Sequence, residues 1–289
     1  MGDSLGRCLA SSLRGRPWTL VLLLICLSAA SGASAADRAV TAKPDYPGWR
    51  DAPLPDGPVG AAIAQGRRIL SNAPKYAAAY SGNALTCTNC HLDGGRTPAA
   101  APWVGIWGVF PEYRARSARV NTLADRVNDC FERSLNGKRL PGDAPEMIAI
   151  LSYMQWLSRE VPTAHSVAGR SFLRFESAQP ASAERGAPLY RERCASCHGH
   201  NGAGRGSNGN ADFVPPLWGP EAFNIGAGMA RLNNAAAFIK ANMPLGMGGT
   251  LDDQSAYDIA AYVIKQPRPD FARKHEDWPQ GGKPPDARY

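Results

Sequence analysis

The sequence predicts an all-α protein built from two tandem copies of one small helical unit, and three observations carry that expectation. The pattern Cys-x-x-Cys-His occurs twice, from Cys87 to His91 and from Cys194 to His198. A short helical stretch precedes each copy, "AAIAQGRRIL" before the first and "ERGAPLYRERC" before the second. A longer helix closes each, "DAPEMIAILSYMQWLSREV" and "LDDQSAYDIAAYVIK". One order of parts met twice in a chain is the mark of an internal duplication.

Residues 1–36 stand apart from this plan. Arg14 and Arg16 precede the apolar run "WTLVLLLICLSAA", and small residues "SGASAA" follow it. That order predicts a secretory signal peptide, cleaved near Ala35 or Ala36, and hence a periplasmic protein. The run is too short for a comfortable membrane span, and no later stretch approaches 18 uninterrupted apolar residues, so no membrane span is expected. Cys26 follows Ile25, where lipid attachment would want a small residue. Without Arg7, Arg14, Arg16 and Asp3 the formal charge falls from +7 to +5, spread thinly with no long basic run. Nucleic acid is therefore excluded as a partner.

The remaining stretch, about 250 residues, suits two domains. The first is expected over 37–162, where Met147, Ile150, Leu151, Met154 and Leu157 line one face of the closing helix. Residues 163–180, with Gly, Ser and Pro and no sustained periodicity, read as a linker. The second domain is expected over 181–270. Its closing helix opens on an Asp-rich turn that suits the helix dipole and carries Tyr257, Ile259, Ala260, Tyr262 and Val263 within two turns. Residues 271–289 are too rich in Pro and charge to pack as a helix, and are expected along the surface or partly disordered. The glycine-rich "GHNGAGRGSNGN" follows the second Cys-x-x-Cys-His directly and reads as a loop at that site, not as a phosphate loop.

Cysteine pairs in an exported chain suggest disulfides, but a histidine directly after both pairs does not. In Cys-x-x-Cys-His two thiols attach a haem while the adjacent imidazole reaches its iron. Cys87, Cys90, Cys194 and Cys197 thus predict two covalently bound haem c groups, with His91 and His198 as iron ligands, and the two units become cytochrome c-type domains. A second axial ligand is needed on each. For the second haem Met243 in "ANMPLGMGG" is the leading candidate, with Met229, Lys240, Met247 and His200 as alternatives. In the first domain Met147 and Met154 are seven apart on the closing helix, a spacing that suits core packing. The unpaired Cys130 stands where a ligand is required, 39 residues after His91. A thiolate ligand favours ferric iron and lowers the potential. The alternative is a buried cysteine packing as a small hydrophobe.

The helix around Cys130 is legible in detail. Thr122 and Asp125 form a capping box, and Gly137 can end the helix at C′. Arg126, Cys130 and Ser134 follow at i, i+4, i+8, so a cation and a hydroxyl flank the thiol on one face. Arg116, just upstream, is a possible second cation.

The stretches "GNALTCTNCHLDGGRTPAAAPWVGIWGVFPEY", "TLADRVNDCFERSLNG", "CASCHG" and "NMPLGMGGTLDDQSAYDIAAYVIKQPRP" resemble the di-haem thiosulfate dehydrogenases, also called tetrathionate synthases. The resemblance implies a catalytic first haem with His91 and Cys130 at the iron, and Arg116, Arg126 and Ser134 around the substrate. It implies thiosulfate and tetrathionate as substrate and product, with electrons leaving through the second haem to a soluble or membrane-attached cytochrome c-type acceptor. Some family members carry a lysine just before the second haem's methionine and exchange the two ligands. Asn242 stands here instead, which does not support that exchange. Rival readings are a non-enzymatic di-haem electron carrier and a Sox-like haem-thiolate conversion of another sulfur compound.

Overall fold

The computed structural model describes residues 46–210 and 212–289. The signal-peptide expectation for residues 1–36 lies outside them. Among the described residues six helices run eleven residues or more: α1 Gly57–Ser71, α2 Leu123–Arg133, α3 Pro145–Leu157, α4 Ala183–Arg193, α5 Leu232–Asn242 and α6 Asp253–Lys265. A two-stranded antiparallel hairpin, β1 Glu112–Arg114 with β2 Arg119–Asn121, leads into α2. No helix among the described residues is long and apolar enough to cross a membrane.

The duplication read from the motifs reappears in the packing. In each half the helix before Cys-x-x-Cys-His crosses the closing helix at a glycine, because only a bare backbone lets two helix axes come so close. A Cβ on Gly66 of α1 would lie 2.0 Å from the Ala149 carbonyl oxygen of α3, and one on Gly186 of α4 would lie 1.9 Å from the Asp258 carbonyl oxygen of α6. From α3, Met147, Ile150 and Leu157 are fully buried in the first core. Tyr190, Ile259 and Val263 form the second core, with Trp218 and Tyr262 packed against them.

The two halves share more than a linker. Phe223, Ala227 and Ala230, which follow the second Cys-x-x-Cys-His, belong to the first core. Asn224 donates its side-chain amide to the Glu132 carbonyl at 2.9 Å and its backbone N–H to the Arg133 carbonyl at 3.0 Å. These carbonyls belong to the last turn of α2, which has no partners of its own within the helix. The C-terminal half therefore caps the helix that carries Cys130.

The start of α2 forms the capping box its sequence calls for. Thr122 Oγ1 accepts from the Asp125 backbone N–H at 3.1 Å, and Asp125 Oδ2 accepts from the Thr122 backbone N–H at 3.0 Å. Its end differs from the expectation. The left-handed residue is Asn136, at φ 49°, and not Gly137. Glycine is needed at 137 for room, since a Cβ there would lie 1.8 Å from the Tyr80 carbonyl oxygen.

In the second half Asp258 joins α6 to the start of α4. Its side chain is almost fully buried, accepts two hydrogen bonds from Arg185 at 2.7 and 2.8 Å, and takes the Ser182 backbone N–H at 2.7 Å. Burial alone would raise its pKa, but these bonds and the Arg185 charge hold it below the ordinary carboxylate value. The stabilisation is therefore complete above about pH 4, the unfolded value, and is lost as pH falls through the lower folded one. Asp258→Asn is expected to cost about 2 kcal/mol in denaturant unfolding at pH 7. The difference from wild type should shrink below about pH 4.

The last nineteen residues take the first of the two arrangements expected of them, lying along the body of the protein. Apart from the turn Lys274–Glu276 they are not helical, yet the chain is pinned to the body of the protein by two buried carboxylates, Asp277 and Asp286. Composition predicted the missing helix. It could not predict the anchors, which are single residues paired over long distances.

Candidate active site

The first Cys-x-x-Cys-His begins as a single turn, Cys87–Asn89, entered through a capping box between Thr86 and Asn89. Thr86 is buried, and its hydroxyl donates to the Leu70 carbonyl at the end of α1, which fixes the motif to the core. His91 Nδ1 lies 2.5 Å from the Ala101 carbonyl oxygen. That contact sets the tautomer with hydrogen on Nδ1 and leaves Nε2 as the lone-pair nitrogen. Burial pushes the His91 pKa down to about 4, so the ring is neutral, as a metal ligand must be.

The second motif repeats this design. His198 Nδ1 lies 3.0 Å from the Pro215 carbonyl oxygen, and burial again lowers its pKa. In both halves the glycine four residues after the histidine has positive φ and carries a tryptophan against its backbone. A Cβ on Gly95 would strike Trp103 at 2.0 Å, and one on Gly202 would strike Trp218 at 2.2 Å.

Beside the first motif opens a cavity of about 560 Å³. Cys87, Cys90 and His91 line it, and so does Cys130 from α2. Burial pushes the Cys90 thiol up to about 12 and Cys87 higher still, with a charge on Cys130 acting in the same direction on both. Cys130, 39 residues further along the chain than His91, is thus brought to the Cys-x-x-Cys-His. None of the five described cysteines is in a disulfide. Leu70, Leu85, Met154 and Phe223 supply apolar wall. Neutral half-buried thiols, a neutral imidazole with an oriented ring, and apolar walls fit a covalently attached haem. Met154 accordingly faces the cavity as well as the core it was expected to pack.

Five arginines line this cavity: Arg114, Arg116, Arg126, Arg133 and Arg231. They differ in how their charge is met. Arg114 pairs with Glu112, Arg116 and Arg133 with Asp277, and Arg231 with Asp286. Arg126 pairs with no carboxylate among the described residues; its Nη1 donates to Cys130 Sγ at 3.0 Å. A negative charge on Cys130 is the largest influence raising the Arg126 pKa. The i, i+4 spacing thus delivers the predicted contact. Ser134 also lines the cavity, as the residue that caps α2 at its C-terminal end.

Arg116 reaches the cavity but does not stand free as a second cation. Its Nε donates to Asp277 at 2.9 Å and its Nη2 to the Tyr289 hydroxyl at 3.0 Å. Arg133, Arg231 and Asp277 were not singled out from sequence. Arg133 was signalled only by its place three residues after Cys130.

At the second site Met243 directly follows α5, half-buried, with its N–H on the Ile239 carbonyl. Among the alternatives, Lys240 is tied to the Leu251 carbonyl and to Asp253. Met229 lines the first cavity. Asn242 is buried and donates to the Phe238 and Ala99 carbonyls, so its amide links the two halves.

Two family models match the chain. Residues 74–163 match the SoxA/TsdA cytochrome c domain, and residues 181–263 match the cbb3-type cytochrome c oxidase subunit III. The fold is thus two cytochrome c domains in tandem, and such domains imply covalent haem c. Among curated proteins, the thiosulfate dehydrogenase of Allochromatium vinosum is 46% identical over 75% of this chain and 82% of its own. That of Psychrobacter arcticus is 43% identical over 81% of this chain and 72% of its own. That of Thiomonas intermedia is 40% identical over 89% and 86%. A solved thiosulfate dehydrogenase (TsdBA) from Marichromatium purpuratum aligns with a TM-score of 0.72 at 39% identity, over 76% of this chain and 49% of that one.

Proposed function

The chain belongs to the thiosulfate dehydrogenase family, and from that premise we propose that it joins two thiosulfates into tetrathionate, with Cys130, Arg116, Arg126 and Ser134 as its catalytic residues. The coupling forms one sulfur–sulfur bond and releases two electrons. Cys87 and Cys90 would hold one haem c, with His91 and Cys130 at its iron; Cys194 and Cys197 would hold a second, with His198 and Met243. When bound, these groups supply a one-electron acceptor for each electron released and pass them to a soluble or membrane-attached cytochrome c-type partner.

The chain's own task is to bring two dianions together. At about 5 Å they repel by roughly 3 kcal/mol in water and by several times more at protein-like dielectric. Arg126 meets this charge beside Cys130, and its planar fork orients the substrate oxygens. Ser134, one turn further along α2, offers a hydroxyl on the same wall. Cys130 would hold the first haem's iron as a thiolate, a donor that would favour its ferric state. The same contacts serve tetrathionate, so the acceptor's potential sets the direction. Export through the signal peptide places the enzyme in the periplasm.

The observation that carries this reading is the 3.0 Å contact between Cys130 and an arginine with no carboxylate partner among the described residues. A simple electron carrier has no use for such a cation. Holoprotein given thiosulfate should reduce ferricyanide, with tetrathionate appearing at one molecule for every two ferricyanides. Reduction without thiosulfate dependence, or sulfate as the product, overturns the reading.

A further inference from the structure

We propose that the C-terminal strap, residues 271–289, is a working wall of the first cavity, and that its Asp277 is a positioning residue that holds Arg116 and Arg133 and sets the electric field at the first haem. This deepens the reading above and rests on the cavity holding a haem.

Asp277 comes from 161 residues beyond Arg116 and 144 beyond Arg133, and its side chain is only 4% exposed. One oxygen accepts from Arg116 Nε at 2.9 Å and Arg133 Nη1 at 2.8 Å, and the other from Arg133 Nη2 at 2.9 Å. Tyr289, the last residue, donates its hydroxyl to the same carboxylate and accepts from Arg116. Aromatic rings of the strap complete the grip. The Arg116 guanidinium lies 4.7 Å from the Trp278 ring and the Arg133 guanidinium 4.2 Å from the Phe271 ring. Trp278 also donates its backbone N–H to the Arg116 carbonyl. Further along, Asp286, 7% exposed, holds Arg231 at 2.9 Å and accepts the Asn233 backbone N–H.

Packing alone does not explain the strap. It contributes one buried hydrophobic side chain, Phe271, while its other deeply buried side chains include the carboxylates Asp277 and Asp286. Burying a charge is costly unless it is paired and hydrogen-bonded, so such groups are poor glue. All three of their arginine partners line the cavity. Trp278, Gly282 and Pro284 line it too. The carboxylates thus offset part of the cavity's positive charge, fix where the three guanidiniums stand, and leave Arg126 as the lining arginine that forms no ion pair with a carboxylate among the described residues.

Removing the Asp277 charge leaves Arg116 without its carboxylate and Arg133 with only Asp129, 3.7 Å away, so the cavity wall becomes more positive, which favours the reduced haem. The test is a spectroelectrochemical titration of holoprotein without thiosulfate. Asp277→Asn is expected to shift the first haem's reduction equilibrium about tenfold toward the ferrous state, about 59 mV upward for one electron, with the second haem unmoved. Asp277→Glu, which keeps the charge, should restore the wild-type midpoint to within about threefold in that equilibrium, about 28 mV on the same scale. An unmoved first midpoint in folded Asp277→Asn, or equal shifts at both haems, would reduce the strap to packing. Should Asp277→Asn not fold, Arg116→Gln removes the opposite charge of the pair and must move the first midpoint downward; no movement overturns the proposal. Because no thiosulfate is present, this result stands apart from the substrate assignment.

Discussion

Cys130→Gly is expected to lower thiosulfate-dependent ferricyanide reduction by at least about 10³-fold, roughly 4 kcal/mol of barrier, while the covalent haem content proposed above stays unchanged. The proposed attachment is through Cys87, Cys90, Cys194 and Cys197, none of which the substitution touches. What disappears is the side chain that lines the cavity with His91 and accepts from Arg126 at 3.0 Å. Glycine within α2 costs about 1 kcal/mol of stability, too little to unfold the domain. A steady-state assay on haem-stained, purified protein separates loss of catalysis from loss of cofactor. Activity within a few-fold of wild type would return Cys130 to the buried-hydrophobe reading. If the thiol also carries sulfur, mass spectrometry of substrate-treated wild type will find added sulfur mass on the Cys130 peptide.

The second large effect is expected at Arg126. Among the cavity's arginines, the other four are paired with carboxylates, so a dianion meets its charge least compensated. At an effective dielectric near 20, a pair of unit charges 4 Å apart interacts by about 4 kcal/mol. Arg126→Ala should therefore lower kcat/KM for thiosulfate by about 10² to 10³-fold, with unfolding midpoints close to wild type. Arg126→Lys keeps the charge but not the planar fork, and should recover part of the loss. Arg116→Ala should cost much less, about tenfold, because Asp277 already offsets that charge. Equal losses at the two positions would contradict the division of roles drawn from the ion pairs.

Much of this site was legible in the chain because its parts are local. Cys-x-x-Cys-His is a contiguous motif, and its two copies divide the protein. The capping box at Thr122 and Asp125 lies within four residues, and the spacing of Arg126, Cys130 and Ser134 follows from helix geometry. Other features depended on long-range folding. Arg116 looked like a free cation because its partner lies 161 residues away. Met229 looked like a candidate for the second haem because it follows that motif, whereas the chain folds back and carries it to the first cavity. Gly137 looked like the helix stop, although Asn136 takes the left-handed turn and the glycine makes room for the Tyr80 carbonyl.

By itself the sequence determined the duplication, the two Cys-x-x-Cys-His motifs and the helix that aligns Arg126 with Cys130, because each depends on neighbours within a turn or on covalent spacing. Only the tertiary structure decided which lining arginine forms no ion pair with a carboxylate among the described residues, that Asn224 from the C-terminal half caps the Cys130 helix, and that residues of the strap form a wall of the first cavity. Those are questions of charge pairing and burial, and a charge is paired by whatever the fold brings within about 4 Å, however far along the chain it began.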